Sequence, residues 1–266
     1  MDGTAKLLFK FNDGAPAESV TLFNKGRASA CLSSQSGCAC GCRFCATGAL
    51  GFRRDLTAAE ITAQFEACRR EAGGKLSSVV FMGMGEPFLN WENVKRAILV
   101  LSEQKGFNFP QSKMTVSTIG IVPGIKELAA SGLKVKLAVS LVTSDAGQRA
   151  GLAPMDKKYP LPEVLAAARE YCRLSRNSVF FEYVLFDGLN DSPRCAGKLA
   201  ALVEGIDCKI NLIPYNRSAA SEFLPSGEAR AKEFQKVLIG AGVRTYLRRE
   251  KGSDILAACG QLAAAK

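Results

Sequence analysis

From residue 27 to the end of the chain, strand-sized apolar runs alternate with segments that read as helices. "ASACLS", "SSVVFMG", "KMTVSTIG", "LKVKLAVSL", "VFFEYVLF" and "CKINLIP" are short, rich in β-branched residues and bounded by turn residues, which is the pattern of buried strands. Between them, Thr57-Ala-Ala-Glu60 is a capping box opening a helix that stops at Gly73-Gly74. "WENVKRAILVLSEQ", "PGIKELAAS" with Pro123 near its start, "LPEVLAAAREYCRLS", "RCAGKLAALVEG" and "GEARAKEFQKVLIGAG" supply the other helices, and "VRTYLRR" closes the series. Repeated βα units with short connections call for a parallel sheet with helices outside it. Six such units are too few for a closed eight-fold barrel, so an open (βα)6 barrel is expected over residues 27–266, with a doubly wound sheet as the alternative. Ahead of it, "AKLLFKF" and "AESVTLF" around an "NDG" turn read as a β-hairpin extension over residues 1–26.

In either architecture ligands belong at the carboxyl ends of the strands. Several distinctive stretches fall there: the loop "CACGCRFCATG" after the first strand, "GMGEP" after the second, Ser117 at the end of the third and Ser140 at the end of the fourth. Asn216 is read as following the fifth strand.

The cysteine loop sets four thiols within eight residues of a chain of 266 that has ten cysteines and no histidine. The start, "MDGTAKLLFKFNDG", lacks the basic-then-apolar pattern of a secretory leader, and no apolar run is long enough to cross a bilayer. A cytoplasmic chain is therefore expected. In a reducing compartment, with 47% hydrophobic residues and no need of stapling, the cysteines point to metal or redox chemistry rather than to disulfides. Cys38, Cys42 and Cys45 stand in C-x3-C-x2-C spacing, which lets a short loop give one thiolate to each of three irons of a cubane cluster. Zinc would need a second ligand pair, and no histidine or second C-x2-C exists; Cys40 could complete a four-thiolate zinc site, but is read as a spare thiol facing away. With 35 basic and 25 acidic residues, the formal charge of +10 favours a polyanion, nucleic acid being the commonest, although a merely basic soluble protein has the same balance.

C-x3-C-x2-C with an aromatic residue, Phe44, before the last cysteine resembles the signature of radical S-adenosylmethionine (SAM) enzymes. The longer strings "CLSSQSGCACGCRFCATG", "FMGMGEP", "VSTIG", "CKINLIPYN" and "DILAACGQLA", in this order from about Leu7 to Ala263, resemble the RlmN/Cfr family of adenosine methyltransferases. That resemblance implies an α/β fold, a partial (βα)6 TIM-like radical SAM barrel. It implies a [4Fe–4S] cluster on Cys38, Cys42 and Cys45 and SAM bound through Gly85, Glu86, Ser117, Ser140, Leu141, Val142 and Asn216. It further implies two SAM molecules per turnover. One methylates Cys259; the radical made from the other takes a hydrogen from that methyl, which then adds to the adenine ring. Cys31 releases the product by forming a disulfide with Cys259, and Glu18 in "AESVTLF" is the base that takes the ring proton. Read alone, Glu18 looks like a solvent-facing strand carboxylate, and Cys68, Cys172, Cys195 and Cys208 look like packing residues.

The implied reaction is methylation of carbon 2 of an adenosine in ribosomal RNA, and of tRNA, by a monomer that takes electrons from an external one-electron donor such as flavodoxin. Carbon 8 methylation, as in Cfr, or another substrate for the same radical chemistry are the rivals; a zinc-stabilised RNA-binding module without catalysis is the rival from another class. Two departures from the family stand out. The sequence begins almost directly before the hairpin, so the family's N-terminal helical domain is expected to be missing; and Ser140-Leu141-Val142 stands where the family has Ser-Leu-His. Candidate phosphate contacts are Arg53 and Arg54, Lys157 and Lys158, and Arg248, Arg249 and Lys251.

Overall fold

The computed structural model describes residues 2–218 and 221–264. Two compact units are distinguished: Met1–Gly41, Cys45–Ser117 and Lys251–Lys266 form the first, and Cys42–Phe44 with Thr118–Glu250 the second.

The first unit starts with β1 (Ala5–Lys10) and β2 (Pro16–Asn24), antiparallel about the Asn12-Asp13-Gly14 turn, and β3 (Arg27–Cys31) returns antiparallel to β2. There follow β4 (Gln35–Gly37), the single turn α1 (Ala46–Ala49), β5 (Phe52–Asp55), α2 (Ala58–Glu71), β6 (Ser78–Phe81), α3 (Trp91–Ser102) and β7 (Met114–Thr118). β6 runs parallel to β3 and β7 parallel to β6, so the strand order is β1-β2-β3-β6-β7. β4 and β5 form a separate two-stranded ribbon. At the start of α2 both halves of the capping box are made, Thr57 accepting from the Glu60 amide and Glu60 from the Thr57 amide. The helix buries Ile61, Phe65 and Cys68 and ends ahead of Gly73 and Gly74, both in the left-handed region. Its Gln64 is fully buried: its Oε1 accepts from the Ser33 amide at 2.9 Å and its Nε2 donates to the Ser33 carbonyl at 3.1 Å, pinning the chain just beyond β3.

The second unit contains α4 (Val122–Ala130), β8 (Lys136–Ser140), α5 (Ala146–Leu152), α6 (Leu161–Ser175), β9 (Val179–Leu185), α7 (Pro193–Leu202), β10 (Cys208–Pro214), α8 (Glu228–Gly240) and β11 (Thr245–Leu247). β8, β9, β10 and β11 are consecutive and parallel. Tyr183 of β9 packs on Phe234 of α8 with ring centroids 5.1 Å apart, and Phe186 on Tyr215 and Phe223 at 5.1 and 4.9 Å. Asn216 follows β10, the sixth strand of the series that begins at β3, not the fifth. α5 is an element that the periodicity does not reveal: it is short and holds two glycines, Gly147 and Gly151, and its start depends on Asp145 accepting from the Gln148 amide at 3.1 Å. Among the described residues no helix is long and apolar enough to cross a membrane.

Candidate active site

In the first unit the chain beyond β3 is laced to the loop after β6. Gly83 donates to the Leu32 carbonyl at 3.0 Å, Ser34 to the Met84 carbonyl at 2.8 Å, and the Glu86 amide to Gln35 Oε1 at 2.9 Å. The glycines of "GMGEP" are required by this contact. A Cβ on Gly83 would lie 2.6 Å from Ser33 Oγ, and one on Gly85, at φ +96, would lie 2.5 Å from Gln35 Cβ. What Gly85 approaches closely is therefore Gln35. Glu86 is 3% exposed; its Oε1 accepts from the Phe88 amide at 3.1 Å, and its charge reaches Cys38.

The cysteine loop begins from a rigid point. Gly37 sits at φ +76, where a Cβ would stand 2.0 Å from the Gly51 carbonyl oxygen, and the Cys38 amide donates to that same oxygen at 2.9 Å. Cys40 does not face away as a spare thiol: it is buried, and its side chain hydrogen-bonds Cys38, which holds the Cys38 thiol below its usual range against the opposing effect of burial. Burial pushes the Cys45 thiol up, with the neighbouring charge of Cys38 adding to the shift. Cys42 is half-buried and belongs, with Arg43 and Phe44, to the second unit, where the Arg43 amide donates to the Leu152 carbonyl at 3.0 Å and the Phe44 ring lies 5.9 Å from Phe186. Since the thiolate is the reactive form, Cys40→Ala is expected to raise the pH at which Cys38 is alkylated by iodoacetamide, followed by peptide mass; an unmoved profile would remove Cys40 from that role.

Cys259 and Cys31 are also both part of the first unit. Cys31 ends β3 and is buried, while Cys259 is exposed. Burial pushes the Cys31 thiol well above its ordinary value, and the charge of Cys259 pushes it further, so the two sulfurs are within electrostatic reach. The Cys259 segment is tied to the turn that follows Cys45: the Ala46 amide donates to the Gly260 carbonyl at 2.8 Å and Thr47 Oγ1 to the Leu262 carbonyl at 2.6 Å.

Glu18 is not the solvent-facing carboxylate that its strand position suggests. It is 1% exposed, its Oε1 lies 3.1 Å from Lys6 Nζ, and its Oε2 accepts from the Ala263 and Ala264 amides, both at 2.9 Å. Lys6 also donates to the Leu256 carbonyl at 3.4 Å, so this pair grips the Cys259 segment on both sides of the cysteine.

Ser117, near the end of β7, is half-buried. In the second unit Ser140 is the half-buried last residue of β8, Leu141 and Val142 are fully buried, and Asn216 is 7% exposed. Val142 occupies the left-handed region at φ +69, an outlier for a β-branched residue. Two hydrogen bonds hold it there, its amide donating to the Glu182 carbonyl at 3.3 Å and its carbonyl accepting from Asn190 Nδ2 at 3.0 Å. One residue invisible to motif reading organises this turn. Arg149 of α5 is 1% exposed and donates to the carbonyls of Ile119, Ser140 and Leu141 while pairing with Asp156. Of the basic clusters, Arg54 is engaged by Asp13 and Glu60 and lies over Phe11, and Lys251 donates to the Phe23 carbonyl.

The family model of the radical SAM superfamily matches residues 32–196. The mostly parallel α/β fold is that of this superfamily, a partial TIM-like barrel, and the chain is a radical SAM methyltransferase. It superposes with a TM-score of 0.96 and 45% identity on the crystal structure of a radical SAM methyltransferase from Sphaerobacter thermophilus, covering 98% of this chain and 78% of that one. It is 44% identical over 265 residues to the dual-specificity RNA methyltransferase RlmN of Syntrophobacter fumaroxidans, covering 99% of this chain and 77% of that protein. To the probable RlmN of a Thermotoga species it is 46% identical over 262 residues, covering 98% and 76%. The chain belongs to the RlmN family.

The superfamily implies a [4Fe–4S] cluster and SAM. Among the described residues no three Cys, Asp or Glu side chains are gathered as a metal cage. The donor chemistry of the loop nevertheless fits an iron–sulfur cluster: the ligands on offer are thiols without histidine, Cys38 is acidified, and Cys45 lies within reach of its charge.

Proposed function

We propose that this protein methylates carbon 2 of an adenosine in RNA, adenosine 2503 of 23S rRNA and adenosine 37 of tRNA being the targets implied by the RlmN resemblance. The RNA specificity is that in the names of its RlmN relatives, and the net charge of +10 supports a polyanionic substrate. The observation that carries the reading is the buried Cys31 within electrostatic reach of the exposed Cys259, a second thiol pair apart from the C-x3-C-x2-C motif.

Cys38, Cys42 and Cys45 would hold the [4Fe–4S] cluster, which, with SAM and an electron from an external donor, would supply the radical chemistry. Glu86 in the first unit, and Ser140, Leu141, Val142 and Asn216 in the second, are the proposed SAM contacts, with Gly85 and Ser117 completing the set. Cys259, being exposed, accepts a methyl group as its thiolate displaces S-adenosylhomocysteine from one SAM. That alkylation removes the negative charge that helps to hold the Cys31 thiol up, so Cys31 becomes easier to ionise when its partner is loaded. Once that methyl carbon, as a methylene, is joined to carbon 2 of the adenine, the Cys31 thiolate attacks the Cys259 sulfur: the S–S bond forms as the S–CH2 bond breaks, the electron pair passes to the methylene carbon and a proton completes the methyl. Glu18 would receive the ring proton at Oε1, because Oε2 already accepts two amides and Oε1 faces Lys6 alone.

Cys31→Ala, reconstituted and reduced with SAM and RNA, is expected to accumulate a covalent protein–RNA adduct through Cys259, seen as a mass shift on the Cys259 peptide. Normal turnover by this variant would sink the two-cysteine route. Nucleoside mass spectrometry on RNA methylated by the wild type decides the position: 2-methyladenosine supports the proposal, and 8-methyladenosine would replace it with the Cfr reaction.

A further inference from the structure

Lys6 is the ion-pair partner of Glu18, the proposed base. β1 and β2 pair so that Lys6 stands opposite Val20 and Leu8 opposite Glu18. Lys6 is therefore the diagonal neighbour of Glu18 on one face of the hairpin, within reach of a long side chain. Its ammonium lies 3.1 Å from Glu18 Oε1, and its side chain is 21% exposed where that of Glu18 is 1% exposed.

The residues before Lys6 run along the segment that carries Cys259. The Gly252 amide donates to Asp2 Oδ2 at 3.1 Å, and a Cβ on Gly252, at φ +69, would lie 2.7 Å from Thr4 Cγ2. Lys6 donates to the Leu256 carbonyl, and Glu18 Oε2 accepts from the Ala263 and Ala264 amides. Lys6 thus touches both the carboxylate and the segment that closes over it. Two amides on Oε2 leave the carboxylate plane loosely set, since the terminal torsion of a glutamate is broad. The ammonium on the other oxygen fixes it. Oε1 can still take a proton, because each carboxylate oxygen offers two lone-pair sites.

We infer that Lys6 is a positioning residue for the ring-proton transfer, fixing Glu18 Oε1 as the receiving oxygen while it ties the Cys259 segment to the same carboxylate. The inference rests on the proposed role of Glu18 as the base. In the step it serves, the ring C–H bond of the adduct breaks, its electron pair stays with the ring and Oε1 gains the proton. Lys6 itself neither gives nor takes one. Its loss should slow this step and spare the earlier methylation of Cys259, whose neighbours Gly260 and Leu262 keep their hydrogen bonds to residues 46 and 47.

The test compares wild type, Lys6→Met, Lys6→Arg and Glu18→Gln as anaerobically reconstituted full chains given SAM, reductant and RNA. Mass spectrometry follows methyl and RNA on the Cys259 peptide and the methyladenosine released. Lys6→Met should methylate Cys259 as wild type does, release methyladenosine about a hundredfold more slowly and accumulate the RNA-bound peptide, as Glu18→Gln should. Lys6→Arg, which restores charge and donor, should recover most of the release. Lys6→Gln takes the place of the methionine variant if a thermal melt shows that variant unfolded. Release at the wild-type rate from the uncharged variant would overturn the inference. So would Cys259 methylation that falls in step with release, which would make Lys6 a prop of the fold. An RNA-bound peptide in Glu18→Gln but not in the uncharged Lys6 variant would overturn the inference and leave the base standing. Wild-type release from Glu18→Gln would overturn the base and the inference together.

Discussion

Cys38→Ala is expected to leave anaerobic reconstitution colourless and to release no 5′-deoxyadenosine when reduced with SAM, where the wild type is brown and releases it. Three thiolates are the fewest that hold a cubane cluster with one iron open to a ligand, so losing one removes the site rather than weakening it. Cys38 is also the thiol of the motif that its surroundings make more acidic, through the Cys40 hydrogen bond. Metal ligation requires thiolates, so a thiol held below its usual range favours ligation. The variant is expected to fold: the loop enters from Gly37 and is held by the amide of residue 38, neither of which involves the deleted side chain. An unchanged thermal melt alongside a colourless protein is therefore the full expected result. A brown variant that still cleaves SAM would take Cys38 out of the ligand set.

Asp156→Ala should lower the free energy of unfolding by about 3–5 kcal/mol, because it leaves the Arg149 guanidinium buried without its counter-charge. For a domain whose whole stability is about 5–15 kcal/mol, that is a large share. The measurement is urea denaturation, with the midpoint falling and the slope unchanged. Arg149 also donates to the carbonyls of Ile119, Ser140 and Leu141, so the same variant should loosen the turn that holds Val142 at positive φ. Replacing both partners, as Arg149→Met with Asp156→Leu, should recover part of the loss, since an apolar pair leaves no isolated charge. A loss under about 1 kcal/mol for Asp156→Ala would show that water or a local shift compensates the arginine.

How far a residue's neighbours lie along the chain separates what could be read in the amino-acid order from what could not. Thr57 and Glu60 form their capping box within one turn, so the pattern alone announces it. The parallel strands are legible for a similar reason: each is a compact β-branched run flanked by turn residues. β2 breaks that logic. Alternation would place one face in water, yet Ala17 to Val20 are all buried, with Ser19 bonded to Gln64 of α2 and Glu18 to the backbone of residues 263 and 264. The cover over Glu18 arrives 245 residues later in the chain, and no local period records it. α5 escaped for the opposite reason: its glycines and single buried arginine give no apolar stripe, and its packing is made by hydrogen bonds to carbonyls.

By itself the sequence determined the βα order, the thiol spacing of the loop and the family, because these depend on local propensity and on residue types at short separations. Only the tertiary structure decided the surroundings of each group. It turned Cys40 onto Cys38, put Cys259 within electrostatic reach of Cys31 and enclosed Glu18. Burial and electrostatic reach depend on distances through space, and the order of residues along the chain does not carry them.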